Sequence, residues 1–321
     1  MPEIIVKKNE GGVKIEKFLR KKLKNMPLSH IFKLLRLKKV RVNGVVVKTG
    51  AFIAEGDAIK LFMPEERFKE DIRKKPPISR EEANRLPPPE IIYEDAHILV
   101  VNKPAGITVH GTSGGKEKDH ILNRVQKYLK VIFEDSNFKP SLAHRLDKET
   151  SGVLLFGKTP EALRKLAEEI RSRRVEKVYI ALVVKIPPAK EGKVIAPVIR
   201  RDKPSPEELK TSEGQPKTAI SYYKVIETIG EYALLEMRPH TGRTHQLRSH
   251  ARELGCPIAG DETYGDRMTN KFLKTKFKFN RFFLHAAHIT FTHPITGKKM
   301  RIEAPMPEEL RALLTALRKF K

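Results

Sequence analysis

Six short β-rich runs restrict the fold more than any other feature of the chain: Ile98–Val101, Val153–Phe156, Val178–Val184, Ala219–Val225, Ala233–Met237 and Thr290–Thr292. Helical patterns are fewer than these runs and do not alternate with them, so no βαβ period appears. The expected architecture is therefore α+β, built on a mixed, mainly antiparallel β-sheet. Ahead of this region, Pro76–Pro77 and Pro87–Pro89 sit among charged residues, and proline cannot occupy helix interiors. Residues 64–89 thus read as a Pro-rich charged linker. It divides a small unit, 1–63, from a large domain, 90–321. Within the large domain, 201–216 reads as a surface excursion on its charge and proline content.

The small unit has its own pattern. Ile15, Phe18, Leu19 and Leu23 form one helical stripe, and Ile31, Leu34, Leu35 and Leu37 part of a second. Pro27 and Ser29 supply a stop and a start between them. Two short strands then flank Asn43–Gly44, a strong hairpin signal, and Gly56–Asp57 turns the chain into a last strand, Ala58 to Phe62. Lys33, Arg36, Lys38, Lys39 and Arg41 gather around the second helix and the hairpin. This helix–helix–hairpin order with a basic face resembles the S4 RNA-binding domain, and the resemblance implies RNA contacts by Lys33, Arg36, Lys38 and Lys39.

Charge points the same way. The chain carries 64 Lys+Arg against 39 Asp+Glu, a net charge of +25, which repels itself unless a polyanion relieves it. Nucleic acid is the expected polyanion. Apolar runs such as Tyr179 to Val184 fall far short of the ~18 residues that span a bilayer. The first residues carry no apolar signal-peptide core, so the expected location is cytoplasmic, with no membrane partner. One cysteine, Cys256, excludes intrachain disulfides and thiolate metal clusters.

Gly152 to Thr159, GVLLFGKT, fits the phosphate-loop pattern GxxxxGK(S/T) letter for letter. Its interior, however, reads as a buried strand, not as a loop that curls around phosphate. Thr159–Pro160 reads as a helix N-cap followed by proline in the first turn. Nucleotide hydrolysis is not expected. Read from its left side, the same stretch brings an extended segment into a polar turn. Extension over residues 143–147 would project Arg145 and Asp147 together, while Leu142 and Leu146 anchor the other face. A guanidinium beside Asp147 would favour the ionised carboxylate, available as nucleophile or base. Thr150 and Ser151 are placed to bond within the turn.

The whole string, HRLDKETSGVLLF from His144, resembles the signature of the RluA-type pseudouridine synthases. The resemblance implies that Asp147 is the catalytic residue and that Arg145 fills the space left by a flipped-out uridine. Other stretches agree in order. VVNKPAGITVH from Val100 is similar to the family's early strand-and-turn motif. KVYIALV from Lys177 resembles the strand bearing its active-site tyrosine, here Tyr179. RPHTGRTHQLRSH from Arg238 resembles its third motif, which implies that Arg243 pairs with Asp147. GDETYGDR from Gly260, RFFLHAAH from Arg281 and MRIEAPM from Met300 are closest to the RluC branch.

Taken with the S4-like unit, the family resemblance implies isomerisation of uridine in 23S ribosomal RNA. It needs no cofactor and no metal, and is expected of a monomer. A tRNA-directed synthase of the same family and a non-catalytic S4-type ribosome-assembly protein are the alternatives. The RNA-binding set expected in the large domain is Arg145, His144, Asn102, Lys103, His245 and Arg248. Helical spacing also places Arg248 and Arg252 one turn apart, suited to phosphates. His240, His245 and His250 do not have the i, i+4 spacing of a helical metal-ligand pair.

Overall fold

The structure, a computed structural model, describes residues 2–7, 11–23, 26, 28–72, 86–111, 119–130, 139–198 and 218–320. The chain divides into two compact units, Met1–Asn84 and Arg85–Lys321. Pro27, Pro76–Pro77 and the excursion at 201–216 lie outside the described residues.

In the first unit, helices α1 (Ile15–Lys22) and α2 (Leu28–Arg36) pack with strands β1 (Glu3–Ile5), β3 (Val40–Val42), β4 (Val45–Val46) and β6 (Ala58–Leu61). The sheet order is β1-β6-β3-β4, and β2 (Val13–Lys14) pairs separately with β5 (Phe52–Ile53). Ile15, Phe18, Leu19, Leu23, Ile31 and Leu35 are buried together. Leu37 is not: it follows the end of α2 and is 50% exposed, because Lys38 turns the chain at φ 57°. At the hairpin Asn43 and Gly44 both take positive φ, 50° and 80°, the conformation a two-residue turn of this hand requires. The Asn43 side chain also accepts from the Ala58 N–H (2.9 Å) and donates to Asp57 (2.8 Å), tying the two turns together.

The linker expectation needs a correction. Residues Glu65–Ile72 form a helix, α3, whose Phe68 packs against the first unit's core. The helix also carries two i, i+4 ion pairs, exposed Lys69 with Glu65 and Arg67 with the buried Asp71.

The second unit is built on one ten-stranded sheet. Its main path runs β12 (Glu191–Pro197), β13 (Thr218–Ile229), β14 (Tyr232–Pro239), β11 (Glu176–Val184), β15 (Leu284–Thr292), β10 (Ser151–Gly157), β8 (Ile98–Lys103), β7 (Glu90–Glu94). Strands β16 (Lys299–Glu303) and β9 (Ser141–Leu142) pair with β15 and β10. Among the described residues only β10 and β15 run parallel, so the sheet is mixed and mainly antiparallel, as expected from the sequence. Helices α4 (Ile121–Lys130) and α6 (Gln246–Glu253) pack on one face with Leu99, Val101, Leu154, Tyr179 and Met237. Opposite them lie α5 (Pro160–Arg171), α7 (Arg267–Phe277) and α8 (Glu308–Lys319). The central strands β8 and β10 are apolar on both sides for this reason.

Two details of β10 settle the phosphate-loop lookalike. Gly152 has φ +115°, and a Cβ there would lie 2.1 Å from the Ala286 carbonyl oxygen, so this glycine serves the close approach of β10 and β15. Thr159 caps α5, its side chain accepting from the Ala162 N–H (3.2 Å), with Pro160 following. Thr159→Ala is accordingly expected to cost about 1 kcal/mol in chemical denaturation, with activity unchanged. An unaltered midpoint would show that the cap contributes nothing.

Candidate active site

Between β9 and β10 the chain crosses one sheet face as the segment 143–150. Leu146 is buried against Tyr179 and Leu247, whereas Arg145 is exposed and the Asp147 side chain stays 24% exposed. The alternation expected of an extended segment therefore holds. Asp147 closes a turn in which its carbonyl accepts from the Thr150 N–H (3.1 Å). Ser151 fixes the far end, its hydroxyl 3.0 Å from His285 Nδ1 and accepting from Arg281 (3.1 Å).

Lys103 holds this turn from behind. Its ammonium is fully buried and donates to three carbonyls, Pro104, Ile107 and Lys148, each at 2.8 Å. Burial pulls its pKa down to about 7, with Arg281 acting in the same sense and Glu149 and Asp147 opposing. The RNA contact expected of Lys103 is thereby corrected: its three donors are used inside the protein, joining the 104–107 turn to the Asp147 turn. Asn102 is corrected likewise, being buried on β8 with its amide donating to Glu90 (3.1 Å). The His144 ring is also structural. Its Nε2 accepts from the Leu155 N–H (3.3 Å), and burial, reinforced by Lys177, drives its pKa down to about 3, so the ring is neutral.

The guanidinium paired with Asp147 is Arg248, not Arg243. Arg248 Nη1 lies 3.6 Å from the Asp147 carboxylate, and the residue is only 6% exposed. Its Nε and Nη2 donate to both oxygens of Asp261, at 2.6 and 2.9 Å. The rings of Tyr264 and Phe282 cover its plane, 5.0 and 4.5 Å from Cζ. Burial disfavours the Arg248 charge, but Asp261, and beyond it Asp147 and Tyr264, more than compensate and raise its pKa. Arg248 is thus no surface phosphate contact. Arg243 is exposed in the preceding turn, where its backbone N–H donates to the Gln246 side chain (3.1 Å).

Gln246 explains how α6 is aimed. Its amide oxygen accepts from Thr241 and Arg243, and its amide nitrogen donates to the Ile220 carbonyl and the Ser221 hydroxyl. His250, one turn further, is within 2.9 Å of the same hydroxyl and 3.2 Å from the Ala196 carbonyl. Burial lowers its pKa, so it is a neutral link between strands. His240 lies beside Arg173 and His245 beside Tyr264, at 3.2 and 3.3 Å, so the three histidines face different partners. Among the described residues no group of three metal-ligating side chains converges. His245 remains half-buried beside the site, at φ 58°.

Asp261 was not singled out from the sequence. It is fully buried and accepts, besides Arg248, the N–H groups of Thr263 and Tyr264, both at 2.9 Å. An aspartate directly before a turn is ordinarily exposed, and only its fixed partners mark this one. Tyr179, expected beside the carboxylate, is 8% exposed on β11, and its hydroxyl pKa is raised by burial and by Asp147. The site therefore combines a reachable carboxylate, a buried arginine paired with it, and an aromatic ring. At 3.6 Å the Arg248 pairing leaves the Asp147 oxygens open to a substrate atom.

Comparison with known proteins identifies the family of the chain. Residues 97–253 match the family model for RNA pseudouridylate synthase. The Ribosomal large subunit pseudouridine synthase C of Escherichia coli (strain K12) is 38% identical over 316 residues, spanning 98% of this chain and 96% of that protein. The protein of the same name from Vibrio vulnificus (strain CMCP6) is also 38% identical, over 96% of this chain and 94% of its own. Among solved structures, Human RNA Pseudouridylate Synthase Domain Containing 4 is similar with a TM-score of 0.59 and 27% identity, covering 71% of this chain and 93% of that one. With near-complete coverage at this identity, the chain belongs to the RNA pseudouridylate synthase family.

Proposed function

We propose that this enzyme converts uridines of large-subunit (23S) ribosomal RNA to pseudouridine, with the Asp147 carboxylate as its catalytic group. The observation that supports this most directly is the reachable carboxylate paired with a buried, doubly anchored arginine. That pair occurs in a chain aligned almost end to end with ribosomal large subunit synthases. The reaction breaks the bond from uracil N1 to ribose C1′, turns the ring, and joins C5 to C1′. The C5 hydrogen leaves as a proton and N1 gains one, so nothing is oxidised and no group is lost. A base inside a helix is out of reach of such a site, so the uridine is flipped out. Asp147 acts at the ribose, by attack at C1′ or by removing the 2′ proton, while Tyr179 lies against the uracil and Arg145 occupies the vacated stack. Arg248 pairs with Asp147 and aims it.

Because the C5–H bond breaks, the enzyme should release tritium from ribosomal RNA carrying [5-³H]uridine, one per pseudouridine formed. Release from transfer RNA but not from large-subunit RNA would redirect the substrate assignment. Release from neither would overturn the activity.

The first unit serves as the S4-like RNA-binding module in this reading. Lys33, Arg36, Lys38 and Lys39 are all exposed there. Replacing these four by Gln should make the slope of log K against log salt shallower by roughly three to four. An unchanged slope would remove this face from the RNA path.

A further inference from the structure

Helix α7 has a charge pattern that folding does not account for. Arg267, Lys271, Lys274, Lys276 and Lys278 are exposed, and residues 267–280 contain no Asp or Glu. Helical geometry sets Arg267, Lys271 and Lys274 on one stripe about 10 Å long. Two other helices of the same unit offset cations internally: in α5 Lys165 pairs with Glu161, and in α8 Arg311 pairs with Glu308. Among the described residues none of these five cations, four in α7 and Lys278 at its C-cap, has an ion-pair partner, although Lys276 lies 5.3 Å over the Phe320 ring. Arg267 also sits at the helix's N-terminal end, where the macrodipole disfavours positive charge. The N-cap carboxylate of Asp266 is engaged by the Thr269 N–H (2.8 Å). Repulsion along the stripe is thus retained without an intramolecular gain.

The helix is also locked to the catalytic centre. Asn270, next to the basic stripe, donates from its amide nitrogen to the Asp261 carbonyl (2.8 Å) and accepts at its oxygen from the Gly260 N–H (2.9 Å). The carboxylate of that same Asp261 anchors Arg248, which pairs with Asp147. Tyr264, in the segment leading into α7, packs on Arg248. Leu273 buries the opposite side of the helix. A polyanion lying along the stripe would therefore be held in fixed register with Asp147.

We infer that α7 is a docking surface for the sugar–phosphate backbone of the substrate RNA, with Arg267, Lys271 and Lys274 as its phosphate contacts. The inference rests on RNA being the substrate of the Asp147 site. It assigns to α7 the strand leading away from the flipped uridine.

The test is equilibrium binding of the full-length R267Q/K271Q/K274Q variant to a large-subunit ribosomal RNA fragment across a salt series. Glutamine is a good helix former, and the three positions are exposed, so the fold should persist; a thermal melt checks this. The log–log slope should become shallower by about two to three, and the K271Q/K274Q pair should show about two-thirds of that change. KM should rise while the rate at saturating RNA stays within about twofold. A control removing three other exposed lysines, K190Q/K298Q/K299Q, should alter the slope by less than about one. An unchanged slope in the α7 variant, or an equal change in the control, overturns the inference and leaves α7 to another partner or to bulk charge alone. Binding is read without turnover, so a wild-type enzyme that releases no tritium fails the functional proposal. A turning-over enzyme with an unchanged variant slope fails only the α7 assignment.

Discussion

Asp147→Asn should abolish tritium release, lowering the single-turnover rate by about 10⁴-fold or more, because in the proposed reaction it removes the group that acts at the ribose. Asparagine is nearly the same shape, and the side chain is partly exposed, so its neighbours need not move. Arg248 would lose one partner at 3.6 Å but keep both bonds to Asp261, so no buried charge is left unpaired. The melting temperature should change little, and RNA affinity should be nearly that of the wild type. A variant with wild-type turnover would show that Asp147 is not the catalytic carboxylate.

Arg248→Met should be costly in a different way. Methionine can fill much of the space between the Tyr264 and Phe282 rings, but it leaves Asp261 fully buried with only the Thr263 and Tyr264 N–H groups. Stranding one member of a buried ion pair costs about 3–5 kcal/mol. For a unit of this size that corresponds to roughly a 10 °C drop in melting temperature. Activity should fall as well, since Asp147 loses the cation that aims it. Arg248→Met combined with Asp261→Asn separates the two effects. Neutralising Asp261 should restore much of the stability but not the rate, because Asp147 would still lack its partner. Stability and rate recovering together would mean that Arg248 acts only through packing, and a single variant that melts like the wild type would discard the buried-pair argument altogether.

Sites with short-range logic were legible in the chain before any fold was known. Strand positions follow from period-two patterning and β-branched content: each of the six expected runs lies within a strand of the large unit, whereas β7, β9, β12 and β16 fall outside them. The Thr159 cap and the Asn43–Gly44 hairpin depend on residues within a few positions of each other. Asp147 stood out through a local string, with Leu146 anchoring it and Arg145 projecting beside it. In each case the deciding contacts lie within one turn or one strand pair.

What the tertiary structure alone decided is which charged groups meet. An arginine carries no periodic signature that says whether it will bind phosphate, pair with a nearby carboxylate or lie exposed. Arg243 and Arg248 stand five positions apart in one motif, and only the seating of α6 by Gln246 on Ile220 and Ser221 turns Arg248 inward onto Asp147. Lys103, Asn102 and His144 look like surface polar residues in one dimension, yet packed strands and turns engage the Lys103 ammonium, the Asn102 amide nitrogen and His144 Nε2. Asp261 was invisible for the same reason. Local propensity is written along the chain, whereas burial of charge depends on distant segments arriving together, and that information exists only in three dimensions.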